Sequence, residues 1–250
     1  MPEAPYLSVI VPAYDEEARL PRTLARLREY YDTQQYAYDV TVVSDGSRDR
    51  TVAIVREFDD PRFHVIDSQP NRGKGYVVRL GMLQATGEVA LFCDADLATP
   101  QEETEKLLAA IHAGADIAIG SRPLRDSRLE VRQPLYRELL GRTFNKAVQL
   151  MAVRGIDDTQ CGFKAFRRAA AQDVFSRAKL DGFGFDFETL MIARDLGYRI
   201  DEIPIRWAHQ EGSKVNMLRD GTRMLGDLVR LRMMGKRKRL APAPPMETVR

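Results

Sequence analysis

At 250 residues, with a formal net charge of +2 and 44% apolar residues, the chain has the length for one large α/β domain or two small ones, and one domain is the simpler reading. No apolar stretch approaches the roughly eighteen residues of a membrane-spanning helix, and residues 1–5 have neither a basic region nor an apolar core, so the sequence reads as a cytosolic protein without a secretory signal. Cys93 and Cys161 lack zinc-like spacing and are expected as reduced thiols; segments 122–142 and 214–239 are strongly basic, and the charge of the basic tail is not interleaved with stacking aromatics, which speaks against nucleic-acid binding.

Residues 6–14 form an apolar strand that should end at Pro12, because proline cannot donate to a central ladder. A helix follows, with Leu20, Leu24, Leu27 and Tyr31 at helical spacing. The second strand, 39–43, runs into Ser44-Asp45-Gly46-Ser47, where acids, hydroxyls and glycine cluster as in a ligand loop. Another helix begins near Asp49, a third strand covers 63–66, and Asn71-Arg72-Gly73-Lys74-Gly75 precedes a helix through Leu83. Val89-Ala90-Leu91-Phe92-Cys93 then reads as a strand buried on both faces, stopping on Asp94-Ala95-Asp96. Two carboxylates at such a strand end can hold a hard divalent cation together with substrate phosphates, and the same pattern also makes a turn and helix cap. Pro100, Glu102 and Glu103 open the next helix, with Leu107, Leu108 and Ile111 on its buried face, and 116–119 is a fifth strand.

Five strands alternating with four helices predict a doubly wound, mostly parallel sheet of Rossmann-like type. No Gly-x-Gly-x-x-Gly follows the first strand and no Walker lysine motif is present, which excludes the dinucleotide and P-loop versions. In the second half, 135–151 is a predicted helix carrying Arg137 and Arg142, 157–164 a loop leading into a short strand, and a helix follows Gly182-Phe183-Gly184 through Leu196. Residues 198–207 suit an edge strand because of Pro204. The last helix, 216–234, places Met217, Met224, Leu225, Leu228 and Leu231 on one side and Arg219, Arg223 and Arg230 on another, and Lys236-Arg237-Lys238-Arg239 follows. Such a helix lies on an anionic membrane or packs its apolar stripe against its own protein, and the sequence leaves both open. The Pro-rich end predicts a disordered tail over 236–250.

The motifs at 11–16, 44–47, 71–75 and 94–96 occur in the order and spacing of a family 2 glycosyltransferase with the GT-A fold, and the resemblance continues through Gly120-Ser121-Arg122, the string Asp158-Thr159-Gln160-Cys161-Gly162-Phe163-Lys164, Phe185-Asp186-Phe187-Glu188 and Glu211-Gly212-Ser213-Lys214. Within the family the later motifs are similar to dolichyl-phosphate β-glucosyltransferases and to polyprenyl-phosphate mannosyltransferases. The resemblance implies one GT-A domain over 1–235, with a nucleotide-binding half, 1–120, and an acceptor-binding half, 121–235. It further implies that Pro12, Ala13, Asp15, Glu16, Asp45, Gly46, Asn71, Gly73, Lys74, Asp94 and Ala95 bind the donor, that Asp94 and Asp96 hold Mg2+ or Mn2+, and that Ser121, Arg122 and Arg137 surround an acceptor phosphate. For Asp15 and Asp45 the nucleotide reading is preferred, with helix capping the alternative. Asp96, Asp186 and Arg122 are the expected catalytic residues, with Asp186 the first candidate base if the acceptor is a sugar hydroxyl. Ala98 stands where mannosyl relatives often carry a Gln, which favours glucose over mannose.

The resulting expectation is an inverting, metal-dependent transfer of a hexose, with UDP-glucose the first-choice donor, to a polyprenyl or dolichyl phosphate at the cytoplasmic membrane face, with 216–239 against the bilayer. The rivals are a GDP-mannose-dependent polyprenyl-phosphate mannosyltransferase, a transferase to a glycan hydroxyl, and a catalytically silent nucleotide-sugar-binding module.

Overall fold

The computed structural model describes residues 4–131, 146, 148, 149, 153–210, 217–244 and 246. The predicted helix 135–151, with Arg137, lies almost wholly outside these residues. A seven-stranded sheet runs in the order 63–68, 38–45, 7–13, 89–93, 163–167, 117–121 and 200–204. Its first half alternates as the apolar periodicity dictates: β1 (Leu7–Ala13), α1 (Leu20–Tyr31), β2 (Tyr38–Asp45), α2 (Thr51–Arg56), β3 (Phe63–Ser68), α3 (Lys74–Gln84), β4 (Val89–Cys93), α4 (Thr104–His112) and β5 (Ile117–Ser121). The second half adds β6 (Arg128–Val131), β7 (Phe163–Arg167), α5 (Arg168–Phe175), α6 (Phe185–Leu196), β8 (Ile200–Pro204), β9 (Arg206–Ala208), α7 (Met217–Met233) and α8 (Lys236–Arg239). β6 and β9 pair with each other in a separate ribbon.

Every residue of β4 is buried, as its unbroken apolar run requires. α1 buries Leu20, Leu24, Leu27 and Tyr31, the row at helical spacing. Pro12 is accommodated in an interior strand because β4 pairs with β1 only over Leu7–Ile10, so no partner on that side needs an amide from Pro12. β8 is an edge strand, as Pro204 predicts.

The sheet departs from a purely parallel order at one place. β7 inserts antiparallel between β4 and β5, with Phe92 and Ile119 both in register with Lys164. This insertion brings the Cys161-Gly162-Phe163-Lys164 stretch against the carboxyl end of β4, where Asp94 accepts no strand partner but donates its amide to the Gly162 carbonyl at 3.1 Å.

The end of the chain also differs from expectation. Residues 236–239 form a helical turn, and Arg239 pairs with Asp195 at 2.7 Å and donates to the Leu231 carbonyl at 3.1 Å. The Ala243 amide reaches the Ser176 carbonyl at 2.8 Å, and Leu240 and Met246 pack on the core. Proline prevents regular structure there, yet an extended backbone can still dock through its remaining donors and apolar side chains.

Candidate active site

A cleft of about 640 Å³ opens at the carboxyl ends of β1, β2 and β4, where open α/β sheets place ligands. Pro12, Ala13, Glu16, Asp45, Asn71, Gly73, Lys74, Asp94, Ala95 and Asp96 all border it, so ten of the expected donor and metal residues converge from four separate segments.

Within the cleft, Lys74 at the start of α3 pairs with Asp94 Oδ1 at 2.5 Å. Burial works against the Lys74 charge, but Asp94, Asp186 and Asp96 outweigh it and raise its pKa. Asp96 is pushed up by burial first and then by the Asp94 charge, while the Ala98 amide, donating to Asp96 Oδ1 at 3.0 Å, opposes the shift. Two acidic groups therefore face a common space at an energetic cost that a cation would relieve.

The loop before α3 is fixed by Asp45, whose two oxygens accept the amides of Arg72 at 2.7 Å and Gly73 at 2.9 Å. Asn71 Nδ2 donates to the Asp45 carbonyl at 2.8 Å. Asp45 is thus a loop brace that also touches the cleft, and its pKa is raised by burial against those two amides. Gly73 has φ +113, and a Cβ there would lie 2.5 Å from the Asp181 carbonyl oxygen, so only glycine lets this loop meet the 179–183 segment.

That segment is held from behind. Glu188 on α6 accepts the amides of Lys179 at 2.9 Å and Leu180 at 2.8 Å, and Arg79 pairs with Asp181 at 2.8 Å. Burial pushes Glu188 up to about 7 in spite of the two amides. Because its folded pKa exceeds the ordinary 4.5, its contribution to stability is present below 4.5 and is lost as pH rises toward 7. A shift of that size corresponds to roughly 3 kcal/mol. Glu188→Gln should therefore lose this slope: urea titrations across that range should show the wild type weakening relative to the variant as pH rises, whereas parallel profiles would refute the assignment.

Five of the expected residues do not border the cleft. Asp15, at φ +48, turns its carboxylate to the Arg48 amide at 2.8 Å in the loop before α2 and does not border the cleft, so it braces a loop and caps neither α1 nor α2. Gly46 stands behind the wall, where a Cβ would meet the Asn71 amide nitrogen at 2.6 Å. Ser121 is fully buried at the end of β5, which leaves its hydroxyl no exposed face for a phosphate. Asp186 is buried at the start of α6 and forms an ion pair with Lys164, itself fully buried and also donating to the Cys161 carbonyl at 2.5 Å. Burial raises the Asp186 pKa, with Lys164 and Lys74 opposing.

Arg122 makes a two-pronged bond to Asp158, at 2.6 and 2.9 Å, and its guanidinium lies 5.4 Å from the Trp207 ring centre. Burial would raise the Asp158 pKa, but the Arg122 charge dominates and holds it low. The backbone at 157–158 is in turn held by Glu202, which accepts the Asp157 amide at 2.6 Å and the Asp158 amide at 2.9 Å. This cluster does not border the main cleft.

Sequence reasoning missed the far wall of the cleft, built from Asp181, Gly182 and Phe183 and from Arg219, Asp220, Arg223, Met224 and Asp227 of α7. The polar stripe of α7 was the available signal, but nothing in a helical period tells which neighbour it faces.

The turn that leads into β7 also crowds the Asp94 carboxylate. A Cβ on Gly162 would lie 2.1 Å from Asp94 Oδ2. Gly162→Ala should leave the fold intact, since a side-chain tip can move, but push Asp94 off Lys74. An expected loss of roughly tenfold in donor affinity, measured by calorimetry, follows from misplacing one positioned group. Unchanged affinity would show that Asp94's position does not matter.

The sequence model described as Glycosyl transferase family 2 matches residues 8–175, from β1 through α5 and across every cleft strand. The chain belongs to glycosyl transferase family 2. Among curated relatives of this family 2 chain, the dolichyl-phosphate beta-glucosyltransferase of Drosophila melanogaster is 39% identical over 224 residues, covering 84% of this chain and 69% of that protein. The Homo sapiens protein of the same name is 36% identical over 242 residues, covering 91% of this chain and 75% of that one. Among solved structures, glucosyl-3-phosphoglycerate synthase from Mycobacterium tuberculosis, in complex with phosphoglyceric acid, superposes with a TM-score of 0.68 at 17% identity, covering 91% of this chain and 80% of that one. The same enzyme with Mn2+ and UDP-glucose gives 0.66 at 18% identity, covering 91% and 79%. At these identities the likeness concerns the fold, which for this family 2 enzyme is GT-A.

Proposed function

We propose that this glycosyltransferase moves glucose from UDP-glucose, with inversion and with Mg2+ or Mn2+, to a polyprenyl or dolichyl phosphate at the cytoplasmic face of a membrane. The glucosyl and lipid-phosphate parts draw on the relatives at 36–39% identity. The observation that carries the choice of acceptor is the pairing of Asp186 with Lys164. A hydroxyl acceptor must surrender a proton and needs a positioned base, whereas a phosphate monoester is already ionised near neutral pH. Asp186, the candidate base, is buried, tied to a cation and not among the residues that border the cleft, an arrangement suited to an acceptor that needs no base.

The donor set fits a divalent cation. Asp94 and Asp96 border the same space, and Mg2+ habitually takes one or two carboxylates and completes its shell from phosphates and water. Bound there, the cation would neutralise charge developing on the departing diphosphate. Lys74 would exchange part of its bond to Asp94 for diphosphate oxygens, the loop 71–73 held by Asp45 would keep its backbone against the nucleotide, and the Arg122–Asp158 pair would present a fixed guanidinium on the acceptor side. Arg137, implied at the acceptor phosphate, lies outside the described residues.

Calorimetry with UDP-glucose and GDP-mannose, each with Mn2+ and with a chelator, tests the donor side. UDP-glucose should bind more tightly and lose affinity on chelation. Preference for GDP-mannose would replace the donor assignment by the mannosyl reading.

A further inference from the structure

Among the described residues, the large apolar side chains left exposed are Leu225, Val229 and Met233, at 45%, 38% and 78%. They are not scattered. All three lie on α7 at successive four-residue steps, so they form one ridge along the helix, drifting only about 40° per step. The opposite side of α7 buries Met224, Leu228 and Leu231 in the core, so the helix already has its intramolecular partner and the ridge is a second apolar surface.

The helix that carries the ridge and the turn after it are strongly basic. Residues 217–239 hold eight Lys and Arg against two Asp. Both acids, Asp220 and Asp227, line the cleft, while Arg230, Arg232, Lys236, Arg237 and Lys238 are exposed beside or just beyond the ridge. Arg239 is the exception, folded back onto Asp195 and onto the carbonyl of Leu231, which fixes the basic turn α8 at the end of α7. An apolar ridge bordered by cations and anchored on a rigid domain complements an anionic bilayer surface: the apolar tips enter the acyl boundary while arginines and lysines meet headgroup phosphates.

We propose that α7 and α8 seat this protein on an anionic lipid surface, with Leu225, Val229 and Met233 inserted and the flanking cations on the headgroups. The inference deepens the lipid-phosphate reading above by naming the docking face, and it rests on that reading for its place in the reaction. Because α7 also supplies Arg223, Met224 and Asp227 to the cleft wall, this seating holds the cleft beside the headgroup layer, where a lipid-borne phosphate would be presented.

The test is flotation of the full chain with vesicles of phosphatidylcholine alone and of equal parts phosphatidylcholine and phosphatidylglycerol, neither containing polyprenyl phosphate. The wild type should float with the mixed vesicles, weakly with the neutral ones, and be released by high salt. Val229→Glu/Met233→Glu should reduce partitioning by at least about tenfold, since it replaces inserted apolar groups by like charges facing an anionic surface. Arg232→Gln/Arg237→Gln, which leaves the ridge intact, should reduce binding to mixed vesicles only. Both variants should keep the wild-type unfolding midpoint and donor affinity. Absence of wild-type flotation, or flotation unchanged in the ridge variant, would overturn the proposal, as would a wild-type dimer in vesicle-free solution that the ridge variant dissociates. Transfer to a short-chain, water-soluble polyprenyl phosphate without vesicles, which the ridge variant should retain, reports on the acceptor reading separately.

Discussion

Asp96→Ala is expected to reduce transfer by roughly a thousandfold or more, the scale of removing several kcal/mol of charge stabilisation at a departing diphosphate. The substitution should not destabilise the fold. Asp96 costs the protein free energy in two ways, through burial and through the neighbouring Asp94 charge, and its one protein hydrogen bond here of note is to the Ala98 amide. Without added cation, the variant should therefore unfold at the same urea concentration as the wild type or slightly higher. With Mn2+ and donor present, the wild type should gain stability and the variant should not, because only a site that binds the ligand shifts the unfolding equilibrium. Initial rates and urea midpoints, each with and without Mn2+, separate a lost metal site from a damaged fold. Activity retained within a few fold would remove Asp96 from the metal assignment.

Lys164→Met is expected to cost roughly 3–5 kcal/mol, the penalty for stripping one member from a buried ion pair. Lys164 is fully buried on β7, between β4 and β5, with its ammonium on Asp186 and on the Cys161 carbonyl, and 5.2 Å from the centre of the Phe92 ring. Methionine fills nearly the same volume, so the expected loss is electrostatic. Asp186 would be left buried with Lys74 as the nearby cation, and the competition for Lys74 would weaken the Lys74–Asp94 contact in the cleft. Lys164→Met/Asp186→Asn should recover most of the stability, since no buried carboxylate then lacks a partner. Urea unfolding of both variants measures this directly. A loss below about 1 kcal/mol in the single variant, or no recovery in the double, would contradict a paired buried charge.

The parts of this architecture that were legible in the sequence share a physical property: local order dictates them. Val89–Cys93 could be nothing but a doubly buried strand because no residue in it tolerates water, and the chain then had to turn on Asp94-Ala95-Asp96. The row Leu20, Leu24, Leu27, Tyr31 fixed α1 in the same way. The place of β7 was not legible. Phe163-Lys164-Ala165-Phe166-Arg167 carries a lysine in its middle and reads as a weak strand, and its position between β4 and β5 depends on a partner for that lysine that lies 22 residues later, at Asp186. Charge partners of this kind also surround the expected catalytic residues. The Asp186 carboxylate is paired with Lys164 and the Arg122 guanidinium with Asp158, partners that no local pattern names. Asp45 was readable as either ligand or cap, and the loop amides it holds show that it braces the wall it also lines. The contribution of α7 to the cleft follows from docking of a distant helix, which amphipathic spacing leaves undetermined.

No helix among the described residues is long and apolar enough to cross a membrane. The most direct measurement of the central claim is a transfer assay with Mn2+, polyprenyl phosphate and radiolabelled UDP-glucose or GDP-mannose in parallel, followed by extraction into chloroform. Label from UDP-glucose should appear in the organic phase, and its appearance should depend on both the cation and the lipid phosphate. Label entering that phase from GDP-mannose instead, or from neither donor while UDP-glucose binding is intact, would contradict glucosyl transfer to a lipid phosphate.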